Sequence, residues 1–420
     1  MINSGDTAWV LASSALVLFM TPGLAIFYGG MVRAKSALNM MMMSFAAIGV
    51  TTIIWVLYGY SLAFGKSHGG VIGGFEYMGL AKTLSAVVGA EAHQIPMLSF
   101  AMFQLTFAII TIALLSGAIA DRAKYSSWVL FVALWVTLVY IPVAHWAFAS
   151  QNGTGGWIVD KLGALDFAGG TVVEINSGAA ALALALVLGK RDGFKRDPMR
   201  PHNMPLVLLG AGMLWFGWFG FNAGSALSAG SLAATAMINT QIASAAASMT
   251  WVLFEKFRDG KPTTLGVASG AIAGAVVITP ACGFINPLGA LILGLIAGVA
   301  GSYAVSRKYK FGYDDSLDVV GVHGVSGIIG MIGIGLFATV TVNAAGKDGL
   351  LSGGGTALLS RQIIAIIVVA LFSFCATWLI AKAISATIGF RALRDDEITG
   401  LDTIYHAESA YDITGNSNRY

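Results

Sequence analysis

Long apolar runs broken by short polar punctuation dominate the chain, and no two-residue alternation or ordinary amphipathic stripe competes with them. A bilayer-crossing helix needs about 20 mostly apolar residues. Runs of that kind fall at about 8–32, 37–64, 97–119, 127–147, 167–188, 204–223, 231–254, 263–279, 288–305, 319–340 and 362–387. The pattern therefore predicts an all-α polytopic membrane protein with eleven transmembrane helices. The eighth and ninth runs are short and rich in small residues. Gly266, Gly270 and Gly274, then Gly294 and Gly298, recur at a four-residue spacing that lets helix backbones approach closely in lipid. Residues 1–7 lack the positive start of a signal peptide, so the first run is expected to be a retained helix.

The polar punctuation sets orientation. Loops on one side hold Arg33 and Lys35, Arg122 and Lys124, five basic residues from Lys190 to Arg200, Lys256, Arg258 and Lys261, and Arg307, Lys308 and Lys310. With Arg391, Arg394 and Arg419 that side carries 18 basic residues, against five on the other: Lys66, Lys82, Lys161, Lys347 and Arg361. Basic loops stay in the cytoplasm, so the N-terminus is expected outside and the C-terminus inside. Residues 1–390 read as a transmembrane domain and 391–420 as a cytoplasmic tail.

Composition agrees and narrows the classes. The 420 residues are 56% hydrophobic and 11% charged, with a mean hydropathy of +0.77; a soluble domain carries about 25% charged residues. A soluble enzyme, a disordered chain and a nucleic-acid binder are excluded on that ground. A net charge of +3 implies no anionic partner. Cys282 and Cys375 offer neither a disulfide framework nor metal-ligand spacing. No metal or other cofactor is expected, and no nucleophile–base arrangement marks an enzyme.

An internal echo links the fifth and tenth helices: Glu174-Ile-Asn-Ser177-Gly178 aligns with His323-Gly-Val-Ser326-Gly327. Five helices separate the two, and an odd number inverts the second copy in the membrane. Repeat one then spans about 8–188 and repeat two about 204–340, followed by the eleventh helix at about 362–387. Inverted repeats place transport sites near the bilayer midplane. A charge there costs at least about 2.5–3.5 kcal/mol, which singles out Glu174 and His323 as functional candidates. Asp166 and Asp318 stand at helix starts, where a carboxylate is expected to cap free backbone N–H groups. Phe103 and Phe107, then Trp215, Trp218 and Phe221, form aromatic stripes; Phe221 is followed by Asn222, Gly224 and Ser225. Ring faces beside a hydroxyl suit a small cation.

These residues resemble a known pattern. Asp166-Phe-Ala-Gly-Gly-Thr171-Val-Val173, Phe27-Tyr-Gly-Gly30, Trp218-Phe-Gly-Phe-Asn-Ala-Gly-Ser225, Thr279-Pro-Ala-Cys-Gly283 and Gly321-Val-His323-Gly324 are similar to signatures of the ammonium transporters, the Amt/Mep/Rh family. The ending Gly400-Leu-Asp402, with His406, Glu408, Ala410 and Tyr411, resembles the family's tail. The resemblance implies a homotrimer with one apolar pore per subunit, and ammonium or ammonia as cargo, with methylammonium as an analogue. It implies an outer recruitment site of Phe107, Ser225 and an aromatic from the fourth helix, supported by Asp166. It further implies a gate formed by Phe107 and Phe221, His323 as the second of two pore histidines, and a PII-type cytoplasmic regulator at the tail. Two departures stand out: Glu174 replaces the first pore histidine, as in some fungal members, and Phe148 replaces the usual outer tryptophan. Trp146 is expected to point elsewhere. Glu174 and His323 would then form a proton relay that titrates as one unit. Three readings follow: an electrogenic ammonium transporter, an ammonium sensor signalling through its tail, or a passive channel for neutral gas.

Overall fold

In lipid a spanning segment must satisfy its own backbone, and the helix is the local way to do so. A computed structural model describes residues 1–151 and 153–411; Arg419 of the tail lies outside the described residues. Among these, nine helices are long and apolar enough to cross a membrane. They are α1 (Ser4–Met31), α2 (Ala34–Phe64), α3 (Met97–Ile119), α4 (Tyr125–Phe148), α5 (Gly170–Leu188), α6 (Met204–Gly224), α9 (Pro287–Phe311), α10 (Val320–Phe337) and α11 (Ala357–Thr387). Between them lie α7 (Ser231–Asp259), 29 residues long but more polar, and α8 (Thr264–Ile278), apolar but only 15 residues long. The ninth helix is not short, as its small-residue run suggested. It continues for 25 residues through Arg307-Lys-Tyr-Lys310 and stops where Gly312 takes the left-handed conformation, φ 77°. Lys308 and Lys310 favour that end because cations stabilise the negative pole of a helix.

Packing follows the internal echo. α1 lies along α6, and the start of α10 crosses α5, so equivalent helices of the two repeats face each other. Small residues permit the close crossings: a Cβ on Gly210 would come within 2.4 Å of the Phe27 backbone nitrogen. The polar helix α7 is held by the glycine stripes, with Gly274 and Gly294 of α8 and α9 both against Ala243.

Two small antiparallel hairpins sit in the 65–96 loop, pairing β1 (Ser67–His68) with β2 (Ile72–Gly73) and β3 (Val87–Val88) with β4 (Ile95–Pro96). After α11 the tail forms α12 (Arg394–Thr399) and α13 (Leu401–His406) and folds back onto the α2 start. There the Asp402 carboxylate accepts from the N–H groups of Leu38 (3.0 Å) and Asn39 (2.7 Å). Tyr411 reaches across to His202 at 2.9 Å.

Candidate functional site

The fifth and tenth helices do not begin as regular α-helices. Each opens with a six-residue π-type turn, Gly170–Ile175 and Val320–Val325, and these wide turns carry Glu174 and His323. Such turns re-aim side chains and concentrate at functional sites. The two helices then cross backbone to backbone: a Cβ on Gly178 would lie 2.2 Å from the Gly324 Cα, and one on Gly327 2.8 Å from the Glu174 Cβ. This contact brings two residues 149 positions apart into hydrogen-bond reach, with His323 Nδ1 2.7 Å from Glu174 Oε2. Both side chains are buried. Glu174 Oε1 has no partner among the described residues.

The pair lines a narrow cavity of about 10 Å³, walled otherwise by apolar side chains that include Leu114, Trp218 and Phe221. That is room for about one water-sized molecule. A stack of two phenylalanines closes one end: the Phe107 and Phe221 ring centroids are 4.1 Å apart and the planes differ by 32°. Beyond the stack lies a vestibule of about 200 Å³, lined by Phe103, Phe107, Phe148, Asp166, Phe167 and Ser225 among others. Phe148 presents its ring at 87° to that of Phe107, at 6.4 Å. Ser225 donates its hydroxyl proton to the Phe221 carbonyl at 2.8 Å, which leaves oxygen lone pairs free to accept.

Asp166 borders the vestibule, but its carboxylate is fully engaged. It accepts from the N–H groups of Gly169 (2.8 Å), Gly170 (2.7 Å) and Thr171 (2.7 Å) and from the Thr171 hydroxyl. It caps the turn, as expected of its position. Burial pushes its carboxyl above the usual range, and the Thr171 donors oppose that. Asp318 does not cap. Its carboxylate pairs with Lys308, and the N–H of Val320 goes instead to Asp315 Oδ2 at 2.7 Å. Trp146 points away from the vestibule and donates its indole N–H to the Val71 carbonyl at 2.8 Å.

Thus the structure gathers Phe107, Phe148, Asp166 and Ser225 around one cavity, Glu174 and His323 around another, and the Phe107–Phe221 stack between them. Sequence reading missed Phe167 and Asp315. For Asp315 a signal existed: it precedes His323 by eight residues, as Asp166 precedes Glu174. Among the described residues no cluster of His, Cys, Asp or Glu is arranged to hold a metal.

Comparison with known proteins places this arrangement. The model of the Ammonium Transporter Family matches residues 8–411. An ammonium transporter of Mycobacterium tuberculosis is 52% identical, over 98% of this chain and 91% of its own. The crystal structure of Candida albicans Mep2 superposes with a TM-score of 0.87 at 34% identity, covering 94% of this chain and 88% of that one. A sensor Amt protein superposes at 0.86 and 28% identity, covering 96% and 98%. The chain belongs to the ammonium transporter family, as a multi-pass protein of the cell membrane that transports ammonium and is not an enzyme.

Proposed function

We propose that the chain takes up ammonium by separating the ion from its charge: the cation is recruited in the vestibule, deprotonated, and its proton is carried by Glu174 and His323 while the neutral molecule follows the apolar cavity. The carrying observation is the hydrogen-bonded Glu174–His323 pair in a narrow, otherwise apolar cavity behind an aromatic stack. An ion in that cavity would lose its hydration with little to replace it, a penalty far above what thermal motion supplies. Neutral ammonia carries no such penalty. In the vestibule the ring faces of Phe107 and Phe148 attract a cation, by up to about 2 kcal/mol when desolvated, and the Ser225 oxygen accepts one of its N–H bonds. Asp166, already holding four donors, serves the site by fixing the turn and adding negative field rather than by direct ligation. The Phe107 and Phe221 rings must part for each passage, which makes them the gate.

This reading assigns eleven crossings in inverted five-helix repeats, counting α7 and α8 because both pack among the spanning helices. It puts the N-terminus outside, with the basic loops and the tail inside. One pore serves each subunit of a homotrimer, and the tail, docked beside the basic loops, is where a PII-type regulator would bind. The docked tail also favours a second reading, an ammonium sensor. Bilayer current separates the two. Ammonium-evoked current through the purified protein, abolished in Glu174→Gln, supports the relay. Binding without current supports the sensor, and uptake indifferent to voltage indicates a neutral-gas channel.

A further inference from the structure

We propose that Gln104 is a ligand of the recruited ammonium ion, its amide oxygen accepting one of the cation's N–H bonds while Ser225 accepts another; the inference deepens the recruitment reading above and rests on it. Its starting point is one face of α3. Phe100, Phe103, Gln104 and Phe107 follow the spacing of a single helix face, and all of them line the vestibule. The other residues of that stripe are phenylalanines. A lone amide among them adds no packing that a methionine would not give, and its desolvation in a membrane-spanning helix is unfavourable.

Hydrogen bonding around the vestibule singles the amide out. The polar side chains that line the cavity are Gln104, Asp166 and Ser225. Asp166 commits both oxygens to the turn at Gly169, Gly170 and Thr171. Ser225 gives its proton to the Phe221 carbonyl and keeps lone pairs. Gln104 is 7% exposed, and its Oε1 is buried with no partner among the described residues. An orphaned buried acceptor is destabilising, and a cation with N–H bonds to give relieves it. Thr106, on the same helix, shows the contrast: its hydroxyl bonds the Phe103 carbonyl at 2.6 Å and so is satisfied by the fold alone.

A half-turn about the last side-chain bond exchanges the oxygen and nitrogen of an amide, so the oxygen meets the ion without a change of packing. The acceptor also supplies what the rings lack. Ring faces attract any small cation, whereas a hydrogen bond is directional and rewards an ion that carries N–H donors over a spherical one. Gln104 thereby adds affinity and discrimination at the same site.

The test measures ammonium-evoked current through the full-length protein in proteoliposomes over a range of ammonium concentrations. Gln104→Met keeps the length and shape of the side chain and removes the acceptor. Its half-saturating concentration is expected to rise about five- to tenfold, with maximal current within about twofold of wild type. Gln104→Glu keeps an oxygen acceptor and adds charge, and its half-saturating concentration is expected at or below the wild-type value. A merely structural role predicts the reverse order, because methionine removes an orphaned amide whereas glutamate buries a charge. A Gln104→Met half-saturation within about twofold of wild type overturns the proposal and leaves an amide satisfied by vestibule water. Equal weakening in the Met and Glu variants, or a loss of maximal current in place of affinity, overturns it too. If Gln104→Met fails to assemble, Gln104→Leu is judged by the same criteria. Ser225→Ala separates the two levels of the argument. Unchanged half-saturation in both Ser225→Ala and Gln104→Met brings down recruitment in the vestibule and this proposal together; weakening in Ser225→Ala with a normal Gln104→Met brings down this proposal alone.

Discussion

The two sides of the Phe107–Phe221 stack contrast sharply. The vestibule offers about 200 Å³, ring faces, a serine oxygen and the field of a capped carboxylate. The inner cavity offers about 10 Å³ and apolar walls, with one carboxyl–imidazole pair as its polar feature. A single cavity cannot hold a cation well and also let it leave through hydrocarbon, because ring faces and dipoles that reward the ion make its departure expensive. Dividing the tasks across an aromatic partition removes the conflict. On the proposed reading, recognition happens where water still helps, and passage happens where only an uncharged molecule is tolerated.

The largest expected effect comes from breaking the crossing that creates the inner cavity. Gly178→Val puts branched atoms into the Gly324 backbone, where even a Cβ lies 2.2 Å from Cα. Helix separation would cost about 3 kcal/mol or more. The variant is expected to yield no monodisperse protein on size exclusion, whereas recovery of a folded, conducting protein would show that the contact can relax. Next in size is removal of the partition. Phe221→Ala joins the two cavities, and selectivity for ammonium over potassium is expected to drop by about tenfold, or about 1.4 kcal/mol, in a protein that still assembles. Unchanged flux and selectivity would reduce Phe221 to packing. A smaller effect is expected from Glu174→His, which retains a titrating group but alters its charge. Here the pH–flux curve in liposomes should move while maximal flux stays within about threefold. Superimposable curves would remove Glu174 from the relay.

How much of this was legible depends on the range of the interaction. Helix positions follow from local composition, so the sequence pattern locates them to within a few residues. The pairing of Glu174 with His323 was legible because the two repeats echo each other around them. The π-type turns were not, since a turn wider by one residue leaves the hydrophobic pattern almost unchanged. The cap of α10 was misread for a related reason. Asp318 is nearer the helix, but its backbone is left-handed, φ 66°, and Lys308 takes its side chain, so Asp315 reaches the Val320 N–H instead. Helix length also escaped composition: α9 runs on through its basic turn because the helix pole favours those charges and a left-handed glycine lies only at its end.

The smallest effect expected bears on the vestibule side of the comparison alone. Phe148 stands where the family resemblance leads one to expect tryptophan, and its ring borders the cavity edge-on to Phe107. Indole attracts a cation more strongly than benzene, and in a partly wet site the gain is about 0.5–1 kcal/mol. The vestibule, at about 200 Å³, has room for the larger ring. Phe148→Trp is therefore expected to lower the half-saturating ammonium concentration about two- to fivefold, with maximal current nearly unchanged. That split is the informative part. If recruitment and passage are separate tasks, strengthening the first must leave the second alone. An equal loss of maximal current would mean that the ion held more tightly outside is also the one that must be released inward, and the division of labour across the stack would not hold.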